Sequence, residues 1–398
     1  MPDRTGVHVV MRRALMLTGA VGAAALAAIG VGCGSSGSAD ASITPGTGTG
    51  AGAVIAACTG KIGVIAPFTG TDESDGIQMN WARVSLDNFN REHGTDFQIE
   101  PMDSTKGVRQ VKAAARALAA DDEVVGVVGP HTSNFVAAAG PILDSARLAY
   151  VSPSATNVAL TDGHLKGFYR VVANDSVQAP TIGRVAVDDL KGEKVAILDN
   201  PDPYSTGLAD GVEAYVKKAG VPVTRQEISV ATKDYTDVIN RIPTDTDVVV
   251  LSLTSPDAGQ RIVRQMKKKG RDPAFIGGDA LFVLDRFNPV GAYVVSFTPD
   301  LRKSDVGDGA LRLYKAVFGG LATFGGPAFS ATQAVATAAL RTCKDGRASR
   351  DGVWTALPTT KIKDSVLGQD IEFTKDHELK DGRFYVYRIG PDDYQALD

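Results

Sequence analysis

Three cysteines and five histidines in 398 residues leave little material for metal or redox chemistry. Cys58 and Cys343 have no histidine or third cysteine near them at ligand spacing, which excludes a metal site built on that pair. No serine sits in a G-x-S-x-G elbow. Of His8, His93, His131, His164 and His377, only His131 has a neighbour of catalytic type, Ser133 in the same loop. Adjacent loop residues seldom point at each other, so no activated nucleophile, and hence no enzyme, is expected. No strand is followed by a P-loop or dinucleotide fingerprint, and no cofactor is expected. An excess of one charge is also missing. The 42 Lys and Arg and 46 Asp and Glu are interspersed, giving −4 overall and no basic patch for a nucleic acid. After residue 33 no apolar run reaches the roughly 18 residues of a membrane-spanning helix, so the body of the chain reads as soluble.

What is present begins with a targeting pattern. Arg12 and Arg13 precede an apolar, small-residue run from Ala14 to Gly32, followed by Cys33 and a polar stretch of Gly, Ser and Thr. This order reads as a signal segment, and a cysteine in that place resembles a bacterial lipoprotein signal. The resemblance implies a signal over residues 1–33, acylation of Cys33, and a lipid anchor on the outer face of the cytoplasmic membrane. Residues 34–57 hold almost no large apolar side chain and cannot offset their own ordering entropy, so they read as a flexible tether. The rest, from about Cys58 to Asp398, is long enough for two domains. Outside the cytoplasm Cys58 and Cys343 favour a disulfide, with two buried free thiols as the alternative.

From Lys61 onward strand and helix patterns alternate. The runs Lys61–Ala66 (KIGVIA), Phe97–Pro101, Val124–Gly129 and 148–152 read as strands, separated by helical spacing from Ile77, over Val108–Ala120 and over 134–146. The second half repeats the pattern: strands at Val195–Asp199, Val223–Ser229, Asp247–Ser252 and Ala274–Gly277, with helices at Gly207–Ala219, Tyr235–Arg241 and Ala258–Lys269 between them. Such units are βαβ crossovers, which predicts two parallel sheets covered by helices. Gly126 lies inside a strand and reads as a close-packing position.

Six segments in this order resemble the leucine/isoleucine/valine-binding family of periplasmic solute-binding proteins. They are IGVIAPFTG at 62–70, VVGVVGPHTSN at 124–134, AYVSPSATNVALT at 149–161, VAILDNPDPYSTGLADGV at 195–212, KDYTDVINRI at 233–242 and FIGGDAL at 275–281. The resemblance covers residues 61–390 and implies an α/β fold of two doubly wound parallel-sheet lobes joined by three crossover strands. Lobe one would hold 59–172 and 300–366, lobe two 173–297 and 368–398, with a hinge near Val172, Phe297 and Leu367. In that layout Cys58 starts the first strand away from the cleft. Cys343 ends a helix running from about Ala331 to the same end, which makes their bridge geometrically reasonable. The implied function is capture of an amino acid by hinge closure for an ABC importer, by a monomer working with permease subunits. A sensing module of the same fold, or a binder of amides or short peptides, remains the alternative.

Ligands in open parallel sheets sit at the carboxyl ends of strands, where helices begin. Two loops of the first half meet that description: 130–134, containing Thr132 and Ser133, and 152–156, containing Ser154, Ala155 and Thr156. Hydroxyls and free amides there suit a carboxylate, and equally suit helix caps and turns. By resemblance, Ser133, Thr156 and the Ser154 backbone would hold the ligand's α-carboxylate. Asp279, after Gly277 and Gly278, would pair with its ammonium, and Tyr204, read in a loop before a helix at Gly207, would close on it from lobe two. Phe68, Thr69 and Asp72 would wall the side-chain pocket. Thr254 would also line the ligand, in a loop without the aromatic that branched-chain binders often carry as Tyr, and residues 319–331 lack the usual Tyr-Asp pair. With Asp72, Glu73 and Asp75 in the first loop, these departures leave the ligand's side chain open.

Overall fold

The computed structural model describes residues 57–70, 76–318 and 325–397. Cys33 and nearly all of the tether, together with Asp72, Glu73 and Asp75, lie outside them. The first sheet comprises β1 (Thr59–Ala66), β2 (Asp96–Asp103), β3 (Val124–Val128), β4 (Tyr150–Ser152) and β5 (Phe168–Arg170). Its order is β2-β1-β3-β4-β5 and every pairing is parallel. The helices α1 (Ile77–His93), α2 (Val108–Ala120) and α3 (Ser133–Ser145) are the crossovers. Alternation within β1 sends Ile62, Val64 and Ala66 into one core with Trp81 and Phe89, and Ile65 into the other with Leu118 and Tyr150. Burial on both faces is what makes such strands continuous apolar runs.

The second half starts with α4 (Asp175–Arg184) and continues through β6 (Val195–Asp199), α5 (Pro203–Lys218), β7 (Val223–Glu227), α6 (Thr236–Arg241), β8 (Val248–Ser252), α7 (Pro256–Lys268), β9 (Ala274–Gly277) and β10 (Tyr293–Ser296). The chain then returns to the first lobe with α8 (Asp305–Phe318), α9 (Gly325–Arg341), α10 (Arg350–Ala356) and a small hairpin of β11 (Lys361–Ile362) and β12 (Ile371–Glu372). It ends in the second sheet with β13 (Tyr385–Ile389) and β14 (Tyr394–Ala396), both antiparallel, giving the order β14-β13-β10-β9-β8-β6-β7. The fold is therefore two doubly wound lobes joined by three crossings. α9 lies against α1 and β3, and a Cβ on Gly126 would come within 2.8 Å of Val335, so the strand glycine is a packing position.

Two crossings fall between Val171 and Val172 and between Phe297 and Leu301, judged by which core each residue enters. The third falls later than the family layout implies. Leu367, Ile371, Phe373 and Leu379 pack in the first lobe's core, and Phe384 is the first residue to enter the second. The apolar face of the hairpin is covered by the first lobe, so residues 368–380 belong there. Cys58 and Cys343 form a disulfide with Cα atoms 6.0 Å apart, fastening the start of β1 to the end of α9.

Candidate ligand-binding site

On the first lobe, α3 opens directly behind the loop that follows β3. Thr132 occupies its N-cap position but makes no capping hydrogen bond; its hydroxyl meets Asn134 Oδ1 at 2.5 Å instead. The leading amides of α3 thus keep their donor character and the positive end of the helix dipole. Ser133 is buried, and its Oγ accepts from the Asn157 amide at 3.2 Å, which leaves its own proton to donate. In the loop after β4, Ser152 Oγ donates to the Pro130 carbonyl at 2.7 Å and accepts the Ala155 amide at 3.0 Å, so the two loops are knitted together. The Ser154 hydroxyl donates to the His131 carbonyl at 2.6 Å and accepts from Gln78 at 3.0 Å, and its backbone amide, the group expected to face a carboxylate, donates to Ser152 Oγ at 3.4 Å. Thr156, fully buried, keeps a hydroxyl with no partner.

On the second lobe, Asn174 caps α4 through the Ser176 amide, and Asp175 and Gln178 follow on its buried side. The Asp175 amide donates to the Thr156 carbonyl at 2.9 Å, which brings the two lobes together here. Tyr204 lies in the first turn of α5 and not in a preceding loop: Asp202 caps that helix and Pro203 supplies its fixed φ at the first position. A Cβ on Gly278 would stand 2.4 Å from the Tyr204 hydroxyl, so the glycine lets this ring lie beside Asp279. Asp279 begins a short 3-10 turn after β9 and is only 4% exposed.

The two acids are the electrostatic centre. Burial pushes Asp279 up to about 7, against the opposing influence of Gln178 and Tyr204. Burial and then the Asp279 charge push Asp175 up to about 8, opposed by Thr156 and Arg170. Burial beside both acids also drives the Tyr204 phenol well above its ordinary range. Among the described residues, Thr156 Oγ1, both Asp175 oxygens, Gln178 Oε1, the Tyr204 hydroxyl and Asp279 Oδ1 are buried without a hydrogen bond. Buried polar groups are ordinarily paired, and leaving each unpaired costs about 1–3 kcal/mol. Thr156 neighbours Asp175, and Gln178 and Tyr204 neighbour Asp279, so these groups converge where the two lobes meet. They offer donors on the first lobe and carboxylates on the second.

Not every expected residue joins it. Thr254 is exposed and engages Asn200 Oδ1 through its amide at 3.0 Å and its hydroxyl at 3.3 Å. The Ala155 amide is taken by Ser152. Phe68 and Thr69 are held by Asp103, which accepts from the Phe68 amide at 3.0 Å and the Thr69 hydroxyl at 2.6 Å. His131 is pushed down to about 4 by burial and neighbours Ser104, not Ser133. Asp175 and Gln178 are additions the strand-and-helix pattern does not offer. Their signal is the capping sequence Asn174-Asp175-Ser176 directly after the apolar residues 171–173.

Residues 59–394 match the family model described as periplasmic binding protein. An amino acid binding protein of Pseudomonas aeruginosa is 30% identical over 227 residues, covering 55% of this chain and 60% of that protein, so the chain spans less than two thirds of this relative. Among solved structures, a leucine binding protein of Thermotoga maritima superposes with a TM-score of 0.76 at 17% identity, covering 85% of this chain and 97% of that one. A branched-chain amino acid transporter substrate binding protein of Streptococcus pneumoniae, in complex with isoleucine, gives 0.74 at 21% identity, covering 85% and 99%. The two structural likenesses speak to fold, whereas the family match runs through both lobes and every crossing between them. On that ground the chain belongs to the periplasmic binding protein family.

Proposed function

We propose that this protein captures an α-amino acid, of branched-chain type or related, outside the cytoplasmic membrane and delivers it to the permease of an ABC importer. The observation that carries the reading is the cluster of unpaired buried polar atoms on Thr156, Asp175, Gln178, Tyr204 and Asp279, with buried Ser133 tied to the Thr156 loop through the Asn157 amide. A zwitterion satisfies both halves at once. Its carboxylate takes the Ser133 and Thr156 hydroxyls and the leading amides of α3; its ammonium takes the two acids. Charge-assisted hydrogen bonds in a buried cleft are strong and select for amines. Because the partners lie on different lobes, the ligand favours the closed arrangement, and shape reports loading. The Asn157 amide group donating to the Pro203 carbonyl at 2.6 Å is one contact that closure would use.

The same reading assigns lobe one to 58–171, 301–380 and lobe two to 172–297, 384–397. It retains acylated Cys33 as the membrane anchor, with the folded part acting as a monomer. The test is calorimetric titration of the purified protein with the standard L-amino acids after a thermal-shift screen. Failure of every amino acid to raise the melting temperature would end the proposal.

A further inference from the structure

Outside the ligand groups lies a second buried network. Arg170, at the end of β5, is completely buried, and each of its nitrogens is engaged. Nε and Nη2 donate side by side to Glu378 at 2.8 and 2.7 Å, and Nη2 also donates to the Thr161 hydroxyl at 2.9 Å. Nη1 donates to the carbonyls of Ala155 and Asn157, both at 2.9 Å. Those two carbonyls bracket Thr156, and Asn157 is the residue whose amide donates to Ser133. Glu378 reaches the other way: besides the guanidinium it accepts from Thr161 at 2.5 Å and from Asn174 Nδ2 at 2.8 Å. Asn174 caps the helix whose first residue is Asp175.

The network is anchored at the hinge. Glu378 precedes the third crossing by a few residues. Next to it, His377 Nδ1 donates to the Phe168 carbonyl at 3.0 Å, and the ring stacks on Tyr169 with ring centres 4.0 Å apart. Beyond it, Gly382 packs on the first crossing, where a Cβ would stand 3.1 Å from Ala173. Burial works against the Glu378 charge, yet Arg170, Thr161 and Asn174 hold its carboxyl below the ordinary range. Removing one member of a buried, hydrogen-bonded pair leaves an uncompensated charge, so the arrangement is held strongly in one geometry.

We propose that the Arg170–Glu378 pair is the positioning unit of the ligand site: one partner fixes the Thr156 loop, the other fixes the start of α4, and together they set Thr156 against Asp175. Both residues lie outside the groups assigned to the ligand and are occupied by protein partners. The proposal rests on the reading that Thr156 and Asp175 hold the two ends of a zwitterion.

The test combines hydrogen exchange on the ligand-free protein with titration of L-leucine and its α-hydroxy analogue. Glu378→Gln should speed exchange selectively at 155–161 and 174–178 and weaken L-leucine about 10- to 100-fold, the range that small misplacements of a site produce. Asn174→Ser retains a capping oxygen but drops the donor to Glu378, and it serves where Glu378→Gln does not fold. It should speed exchange at 174–178 alone and cut the preference for L-leucine over the hydroxy acid about three- to tenfold, as loss of one hydrogen bond does. Unchanged exchange at both segments overturns the proposal. So does acceleration spread evenly over the protein, because that is what a merely structural pair would give. If exchange responds as expected while the unsubstituted protein ignores L-leucine, the positioning role stands and the amino-acid reading is what fails.

Discussion

Acidification is the sharpest probe of the site, because the two carboxylates that would receive an ammonium are the groups burial has made reluctant to ionise. In the ligand-free protein Asp279 stands at about 7 and Asp175 at about 8. An ammonium needs them charged, so binding must expel protons wherever they are still held. Two pH units below the Asp279 value, ionising that one acid costs about 3 kcal/mol, at about 1.4 kcal/mol per unit, which weakens binding about a hundredfold. If both acids must ionise, the decline is steeper. Affinity should therefore rise from pH 5 to about pH 8 and then level, with no further gain once both acids are charged. Calorimetry at matched ionic strength gives the profile, and repeating it at pH 6 in two buffers of different ionisation enthalpy counts the protons, with one to two expected per ligand. The stability of the empty protein should run the other way. These folded-state values lie above the unfolded 3.8, so the folded protein holds the extra protons, and their contribution is fully present below that value and lost as pH rises through about 7 to 8. Constant affinity from pH 5 to pH 8 with no proton release would refute the assignment of both acids to the amine.

Three other outcomes follow from the same geometry. Asp279→Ala should weaken amino acids by about 2–5 kcal/mol, the range for losing one member of a buried charge pair, while leaving the melting temperature of the empty protein equal or higher; titration and thermal melts check both. Gly207→Ala places a Cβ 2.8 Å from Asn157 Nδ2, so the Asn157 side chain must swing off the Pro203 carbonyl, and ligand dissociation measured by stopped flow should quicken while the acids remain untouched. Cys343→Ser opens a bridge between residues 285 apart, and chemical denaturation should show a loss of at most about 5 kcal/mol, reproduced by reductant on the native protein and absent when reductant is added to the variant.

The sequence makes the sheets legible for a physical reason. Strands such as β1, β6 and β8 are buried on both faces, so they appear as unbroken apolar runs, and α2, with its strongly one-sided Val111, Ala115 and Leu118, is bounded by the pattern at Val108–Ala120. α4 does not show itself in this way. It carries Pro180, a polar first turn and a buried face that includes Asp175, Gln178 and Gly183, so hydrophobic periodicity passes over it, and the second acid with it. Tyr204 illustrates a different failure: Pro203 looks like a breaker, yet at the first position after a capping Asp202 it starts the helix. The third crossing is hidden because Ile371, Phe373 and Leu379 are equally apolar whichever lobe covers them. Thr156, Tyr204 and Asp279 converge with Asp175 where the lobes meet, and Ser133 lies buried against the Thr156 loop, whereas Thr254 stands outside at Asn200.

The return of the chain from one lobe to the other has a consequence for biosynthesis. α9, which fills the first core, is made only after the whole middle of the protein, and β13, which pairs with β10, is made later still. Neither half can reach its final packing on the ribosome in isolation, and Cys58 is made 285 residues before the cysteine it pairs with. A nascent chain of this kind gains from being kept unfolded until it is finished.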